Sequence, residues 1–471
     1  MTTKTRRIAL AFASSALLFF FGTGLHPAWP LLWIAPIPAL WYAVRATSRA
    51  TLLFALGAWT AGQLNLVSYV LPVLPISMVV LLLVAPGLVL AAAVLLYRAA
   101  YLRQRYVLAP LLFGATWCTF EWVIGQLSPH GSFGSLGYTQ IGLLPIAQLA
   151  SLAGVSAISF VLLTTAAALA VVLETRSATV GIVYGSMLAA ALSFGAVRLI
   201  ANSPSSGPRV AAVANDDAVR FFGSPREADT EAAFETFESA VDAAAARGAS
   251  IVVIPEKVLT TADLPATEVR LSQFARRHGV ALVAGLNVLR PTARNLAVAV
   301  ARTGEVVIRY DKRRLIPGLE AEYVRGDATA VFPLGSDTVG LAICKDLDFP
   351  SDIRRYAGVS MLLVPAWDFT VDADLHAQMA IMRGIENGFT VVRAATRGNV
   401  SVSDPFGRSV SKATNEQSPA VVSEAVRPRV RTLYAFAGGY FGWLVSAALV
   451  ASLVGLLANT KPHPQARVQK N

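Results

Sequence analysis

Residues 8–200 form a near-continuous series of apolar runs, and this constrains the fold more than any other feature. Inside a bilayer no water satisfies the backbone, so a crossing segment must be a helix or part of a closed barrel. A crossing helix needs about 20 apolar residues. Spans are expected at 8–21, 31–46, 51–71, 77–97, 107–127, 144–173 and 178–199, with an eighth at 440–458. The first follows Lys4, Arg6 and Arg7, as in a signal peptide, but its apolar core runs on without a cleavage signal. It therefore reads as an uncleaved span.

The connections set the orientation. Arg45 and Arg49 lie between spans two and three, Arg98, Arg103 and Arg105 between four and five, and Arg176 between six and seven. Lys461, Arg467 and Lys470 follow span eight. The alternate connections 25–30, 72–76 and 128–143 contain neither Lys nor Arg. Basic loops stay in the cytoplasm, so both termini are expected there and residues 200–438 on the outer side. The net charge of +11 follows this topology, and no nucleic-acid partner is expected. At 55% hydrophobic and 15% charged, the chain is too apolar for a soluble protein. Its two cysteines, Cys118 and Cys344, form no disulfide framework or zinc spacing, and no HExxH occurs. No metal or cofactor is expected.

The outer segment alternates strands and helices. Strands are expected at 209–213, 250–255, 280–288, 338–343, 359–364, 390–395 and 398–403, with a hairpin formed by 295–301 and 305–310. Helices are expected at 227–247, 266–278, 349–356 and 373–387. Crossovers and hairpins in one segment point to an α/β domain.

Three of these strands end at residues of complementary chemistry: Glu256, Lys312 and Cys344. Cys344 stands at a strand end where a charged turn begins, so its thiol is expected to be presented rather than buried. A carboxylate can take a thiol's proton, and an ammonium can stabilise the thiolate and the oxyanion formed on attack. Together they are parts for acyl transfer through a thioester. Taken singly, Cys344 reads equally well as a core residue, and Glu256 and Lys312 read more readily as surface charges.

Ile254-Pro255-Glu256, Tyr310-Asp311-Lys312-Arg313-Arg314-Leu315-Ile316-Pro317 and Ile343-Cys344 resemble the Glu, Lys and Cys motifs of the nitrilase superfamily. With seven spans before this segment and one after it, the whole chain resembles the apolipoprotein N-acyltransferase family. Glu121-Trp122, the 134–140 loop with Tyr138, and the run His376, Arg383, Glu386, Arg393 and Asp404 to Arg408 share in the resemblance. It implies a multi-pass α-helical membrane domain (1–202), an α-β-β-α sandwich (203–437), an eighth helix (438–459) and a cytoplasmic tail (460–471). It implies transfer of a fatty acyl chain from a phospholipid to the α-amine of a diacylglyceryl-cysteine lipoprotein, by a monomer in the bacterial inner membrane. Glu256 would be the general base, Cys344 the nucleophile and Lys312 the oxyanion stabiliser. A second family glutamate corresponds to Glu322, with Glu320 the rival; Asp346, Trp367, Tyr138 and Glu121 would be supporting or substrate-binding residues.

The sequence departs from the family at Lys345-Asp346, where Tyr-Glu is usual, and in the 128–143 loop, which lacks a Pro-Trp pair. These departures touch recognition of the acceptor rather than the triad. A membrane-anchored amidase with the same triad is the second reading, and a lipid-binding protein with a degenerate site the third. The 128–143 loop and the segment around Gly318 are expected to act as a lid.

Overall fold

The computed structural model describes residues 2–72, 74–202, 207–335, 337–414, 420–424 and 430–458. Helix α1 (Thr3–Gly22) has the length and composition of a crossing. The span expected at 31–46 is broken: a 3₁₀ turn at Trp29–Trp33 precedes the short helix α2 (Ile37–Ala43). Pro30, Pro36 and Pro38 interrupt it, because each lacks an N–H and its ring obstructs the preceding turn. Helix α3 (Ser48–Val70) lies parallel to α1, with Phe12 against Gly57 and Phe19 against Gly62. The chain must therefore return between them, and α2 carries it back without a continuous helix of spanning length.

The remaining crossings follow expectation more closely. They are α4 (Ile76–Leu102), α5 (Leu108–Leu127), α6 (Val155–Thr175) and α7 (Ala178–Ile200), and, after the outer domain, α11 (Tyr440–Ala458). Only the run at 144–173 is divided, because Gly154 turns the chain at φ 77° between a short apolar helix and α6. Arginine-bearing connections gather at one end of the bundle. Arg98 donates to the carbonyls of Ala43 and Ala46 at 2.8–3.1 Å, and Arg45 pairs with Glu174. At the other end Gln148 donates to the Phe406 carbonyl at 2.8 Å, and Tyr69 Oη to Asp372 Oδ2 at 2.8 Å. The basic residues expected at Lys461, Arg467 and Lys470 lie outside the described residues.

The outer domain is an α-β-β-α sandwich. It contains β1 (Arg209–Val213), α8 (Glu227–Ala246), β2 (Ile251–Val253), β3 (Leu259–Thr261), α9 (Leu264–His278), β4 (Ala281–Val288), β5 (Arg294–Val300) and β6 (Val306–Asp311). There follow β7 (Ala330–Leu334), β8 (Asp337–Leu341), β9 (Met361–Trp367), α10 (Ala373–Asn387), β10 (Thr390–Thr396), β11 (Asn399–Ser403), β12 (Ser409–Thr414) and β13 (Ala420–Glu424). One sheet runs β13-β1-β2-β4-β5-β6 with β3 added on β4, and the other β12-β11-β10-β9-β8-β7. The sheets face each other across Val210, Val253, Val283, Leu341, Leu363 and Val392, all buried. Alternate residues face outward: Phe234, Phe237 and Phe274 of α8 and α9 cover the first sheet, and Ile353, Tyr356 and Ala380 the second. Both faces of each sheet are covered, which is why its strands read as unbroken apolar runs. Each such side chain contributes about 1.5–3 kcal/mol by leaving water. Strands β3, β7, β12 and β13 were not expected, and the helix expected at 349–356 is reduced to Pro350–Ile353 and a 3₁₀ turn.

Candidate active site

β2, β6 and β8 end at one mouth between the sheets. Beyond β2 the chain passes Pro255 to Glu256, whose N–H donates across the sandwich to the Ala366 carbonyl at 3.3 Å. Gly285 of the neighbouring β4 permits this, since a Cβ there would stand 2.5 Å from the Glu256 Cα. Beyond β6, the Lys312 N–H donates to the Asn295 carbonyl at 2.9 Å, which aims its ammonium inward. Beyond β8, Cys344 begins a 3₁₀ turn with a left-handed φ of 42°. That backbone is strained for a residue with a Cβ, and it swings the sulfur back toward the inter-sheet space. The sulfur is not presented to solvent as expected: Cys344 is only 8% exposed, beside the Trp367 carbonyl at 3.6 Å.

Lys312 Nζ lies 2.8 Å from Glu256 Oε1 and 2.9 Å from Glu320 Oε2, with all three side chains buried. Lys257 Nζ adds a second cation, 2.8 Å from Glu320 Oε1. Asn295 Nδ2 donates to Glu256 Oε1 at 2.6 Å and to Glu320 Oε1 at 3.0 Å, holding the two carboxylates in register. Two carboxylates and two ammoniums thus balance in charge, as buried ions must. Burial alone would discharge Lys312, but the Glu256 and Glu320 carboxylates, joined by the Cys344 sulfur once it ionises, hold its pKa well above the ordinary lysine value. Burial would also raise Glu320, yet Lys312 and Lys257 pull its carboxyl down to about 2. The Cys344 thiol is pushed well above its usual value by burial and by Glu256, with Lys312 opposing. At rest the sulfur is therefore a thiol beside an ionised pair, and it must lose a proton to react.

The preference for Glu322 over Glu320 is reversed: Glu322 is exposed, whereas Glu320 also accepts from the Ile316 N–H at 2.9 Å and meets Lys312 directly. Asp346 does not reach the ion cluster. Its carboxylate accepts from the Ile343 N–H at 2.9 Å, Tyr310 Oη at 2.8 Å and the Arg314 N–H at 2.8 Å. It thereby ties the residue before Cys344 to residues on either side of Lys312. Burial pushes its carboxyl up to about 6 against those donors. Trp367 contributes its carbonyl to the sulfur, while its ring packs edge-on against Phe222 at 5.0 Å and faces Lys257 at 5.9 Å. Leu319, Val324, Phe369 and Val371, on segments flanking these residues, expose apolar side chains.

Two other candidates serve the junction with the helices. Tyr138 Oη lies 2.5 Å from Ser132 Oγ and accepts from Arg383 Nη2, and Arg383 pairs with Glu386 at 2.9 Å. Glu121 accepts from Trp117 Nε1 at 2.8 Å, Ser135 Oγ at 2.9 Å and the Leu136 N–H at 2.8 Å. The 128–143 loop is therefore braced from both sides, and the segment around Gly318 is anchored as well, by Glu320 on the two lysines and by Tyr323 Oη donating to Asn287 Oδ1 at 2.9 Å.

Asn295, Lys257 and the bidentate pair of Arg393 with Asp368 (2.5 and 3.0 Å) had not been singled out for the site. An asparagine opening an otherwise apolar strand was the available signal for the first, since a buried amide needs partners. Lys257 follows Glu256 directly, and its left-handed φ of 58° turns it back onto Glu320. No group of metal-binding side chains occurs among the described residues.

Residues 15–168 match the apolipoprotein N-acyltransferase N-terminal domain, and residues 209–432 the carbon-nitrogen hydrolase family. An apolipoprotein N-acyltransferase of Geobacter metallireducens is 26% identical over 477 residues, covering 90% of this chain and 91% of that protein. One of Caulobacter vibrioides is 27% identical over 409 residues, covering 77% and 75%. An amidase from Nesterenkonia sp. is similar in structure at a TM-score of 0.42 and 22% identity, covering 50% of this chain and 97% of that one. The two family models in this order, and a relative aligned over nine-tenths of both chains, make the chain similar along its length to the apolipoprotein N-acyltransferases, with residues 209–432 matching the carbon-nitrogen hydrolase family.

Proposed function

We propose that the protein takes an acyl chain from a membrane phospholipid onto Cys344 and passes it to the N-terminal α-amine of a diacylglyceryl-cysteine lipoprotein. The observation that carries this reading is the buried Lys312 ammonium, held between Glu256 and Glu320 beside the Cys344 sulfur. On this reading Glu256 takes the thiol proton as Cys344 Sγ attacks the ester carbonyl. Lys312 stabilises the tetrahedral oxyanion, and the lyso-lipid alkoxide leaves with the proton that Glu256 held. The amine then attacks the thioester and yields its proton to Glu256, which returns it to the departing sulfur. Ester and amine become alcohol and amide, with no net proton change at the enzyme. Glu320 and Asn295 keep Lys312 charged and aimed, and Asp346 sets the spacing between Lys312 and Cys344.

The membrane setting follows from the substrates. Each buried methylene holds a lipid in the bilayer by about 0.8 kcal/mol, so the enzyme must work at head-group depth. By the positive-inside rule, the basic ends of the helices support a reading with both termini in the cytoplasm and the sandwich outside the bacterial inner membrane. On this assignment residues 1–202 are the membrane domain, 203–437 the catalytic domain, 438–459 the last helix and 460–471 a tail, in a monomer. Water must be kept from the thioester, and the exposed Leu319, Val324, Phe369 and Val371 supply an apolar rim for lipid. The test uses proteoliposomes containing acyl-labelled phospholipid and a diacylglyceryl-cysteine peptide. Label in amide linkage to the peptide is expected; label released as free fatty acid at the same rate with and without peptide would make the protein a hydrolase instead.

A further inference from the structure

A pocket of about 210 Å³ lies where the outer ends of α5 and α11 meet the sandwich. Glu121 and Trp122 of α5, Trp443 of α11, and Ser351, Arg354 and Glu386 of the outer domain line it. None of Glu256, Lys312 and Cys344 does. Trp122 and Trp443 pack edge-on with centroids 4.6 Å apart, and Trp443 is 68% exposed, as an indole at a membrane interface is. Gly442 allows α11 this close, since a Cβ there would stand 2.2 Å from the Trp122 ring.

The charges around the pocket are unevenly matched. Glu386 is compensated by Arg383 at 2.9 Å. Glu121 accepts hydrogen bonds from three neutral donors and has no cation beside it among the described residues. Arg354 makes one long contact, 3.5 Å to the Ala435 carbonyl, and pairs with no carboxylate among the described residues. A Cβ on Gly438 would stand 3.0 Å from the Arg354 guanidinium, and one on the adjacent Gly439 3.1 Å from the Trp122 indole. A carboxylate that meets only neutral donors and a guanidinium with no carboxylate partner among the described residues therefore border one pocket.

We propose that this pocket binds the head group of a zwitterionic aminophospholipid lying in the plane of the membrane. Its ammonium meets Glu121 and the indole faces, its phosphate meets Arg354 and Ser351, and its acyl chains descend past the exposed Leu127 and Leu444. A phosphate alone would leave Glu121 without a cation, and an amine alone would leave Arg354 without an anion. The site also touches the chemistry from behind: Ser132, in the same pocket, donates its N–H and its hydroxyl to the Asp348 carbonyl at 2.8 and 2.9 Å. Asp348 closes the turn that Cys344 opens.

Native mass spectrometry of the full chain tests the site, with phosphatidylethanolamine or phosphatidylglycerol added in detergent. A Cys344→Ser background keeps the lipids from being consumed. Phosphatidylethanolamine is expected to be retained in preference. Glu121→Gln, which keeps the shape, should remove that preference, and Arg354→Ala should lower retention of both lipids about tenfold, the loss of a charge-assisted hydrogen bond. Because Arg354 belongs to the outer domain and not to α5, its variant still decides the matter if Glu121→Gln does not fold. Equal retention of the two lipids by the parent, or retention unchanged in Arg354→Ala, overturns the proposal.

Discussion

Two of the buried charge clusters in the outer domain pair a basic side chain with glutamate but differ in what surrounds them. At the sheet mouth, Lys312 and Lys257 meet Glu256 and Glu320 beside a sulfur. At the junction with the helices, Arg383 meets Glu386, and both are spent on fixed partners: the Tyr138 hydroxyl and the Val155 N–H. The second cluster has no reactive atom near it and joins α10 to the start of α6. The first has amine nitrogens, which rotate and titrate, where the second has a rigid guanidinium fork. Buried ion pairs alone do not mark a catalytic centre. What marks it is a nucleophile within the field of a pair whose protonation can change.

The comparison breaks most sharply under Lys312→Met. Glu256 and Glu320 would then face each other with only Lys257 between them, at about 3–5 kcal/mol of stability. Transfer should fall by about 10³-fold, the scale of losing an oxyanion donor. Arg383→Met should cost a similar 3–5 kcal/mol in unfolding, while turnover per folded molecule stays near that of the parent. If the two variants lose turnover alike, the division between a reactive and a bracing cluster fails.

Acid should separate the clusters as well. Glu320 sits at about 2 in the fold against its ordinary 4.5. A depressed carboxyl stabilises the fold above its unfolded pKa, and that contribution is lost as pH falls from about 4.5 toward 2. The loss is on the order of 3 kcal/mol, and denaturation midpoints across that range should flatten in Glu320→Gln. A profile identical to the parent's would mean that Glu320 is not held by the lysines. The smallest effect belongs to Glu322→Gln, expected within about 0.5 kcal/mol and without change in transfer, since the side chain is exposed.

Much of this was legible in the sequence, and the rest was hidden for physical reasons. Alternating basic connections fix a helix bundle whose basic loops gather at one end, because charge cannot rest in hydrocarbon. Helix α10 lies where its apolar period and the following Gly388 place it. The second crossing was misjudged because hydropathy counts apolar residues and not the prolines that divide them. Three strand ends could be named from sequence, but not the Asn295 amide bridging Glu256 to Glu320 across separations of 39 and 25 residues. Glu320 and Glu322 are two positions apart in an irregular loop, where no period tells which carboxylate turns inward. Cys344 was expected at the surface because a charged run follows it; Lys345 and Asp346 are instead buried on partners of their own.

The most direct measurement is the intact mass of the purified chain after brief exposure to phospholipid, followed by peptide mapping. One added acyl group, found on Cys344 and discharged by a diacylglyceryl-cysteine peptide, is the predicted result. An acyl group on any other residue, or transfer to the peptide that persists in Cys344→Ser, contradicts the account.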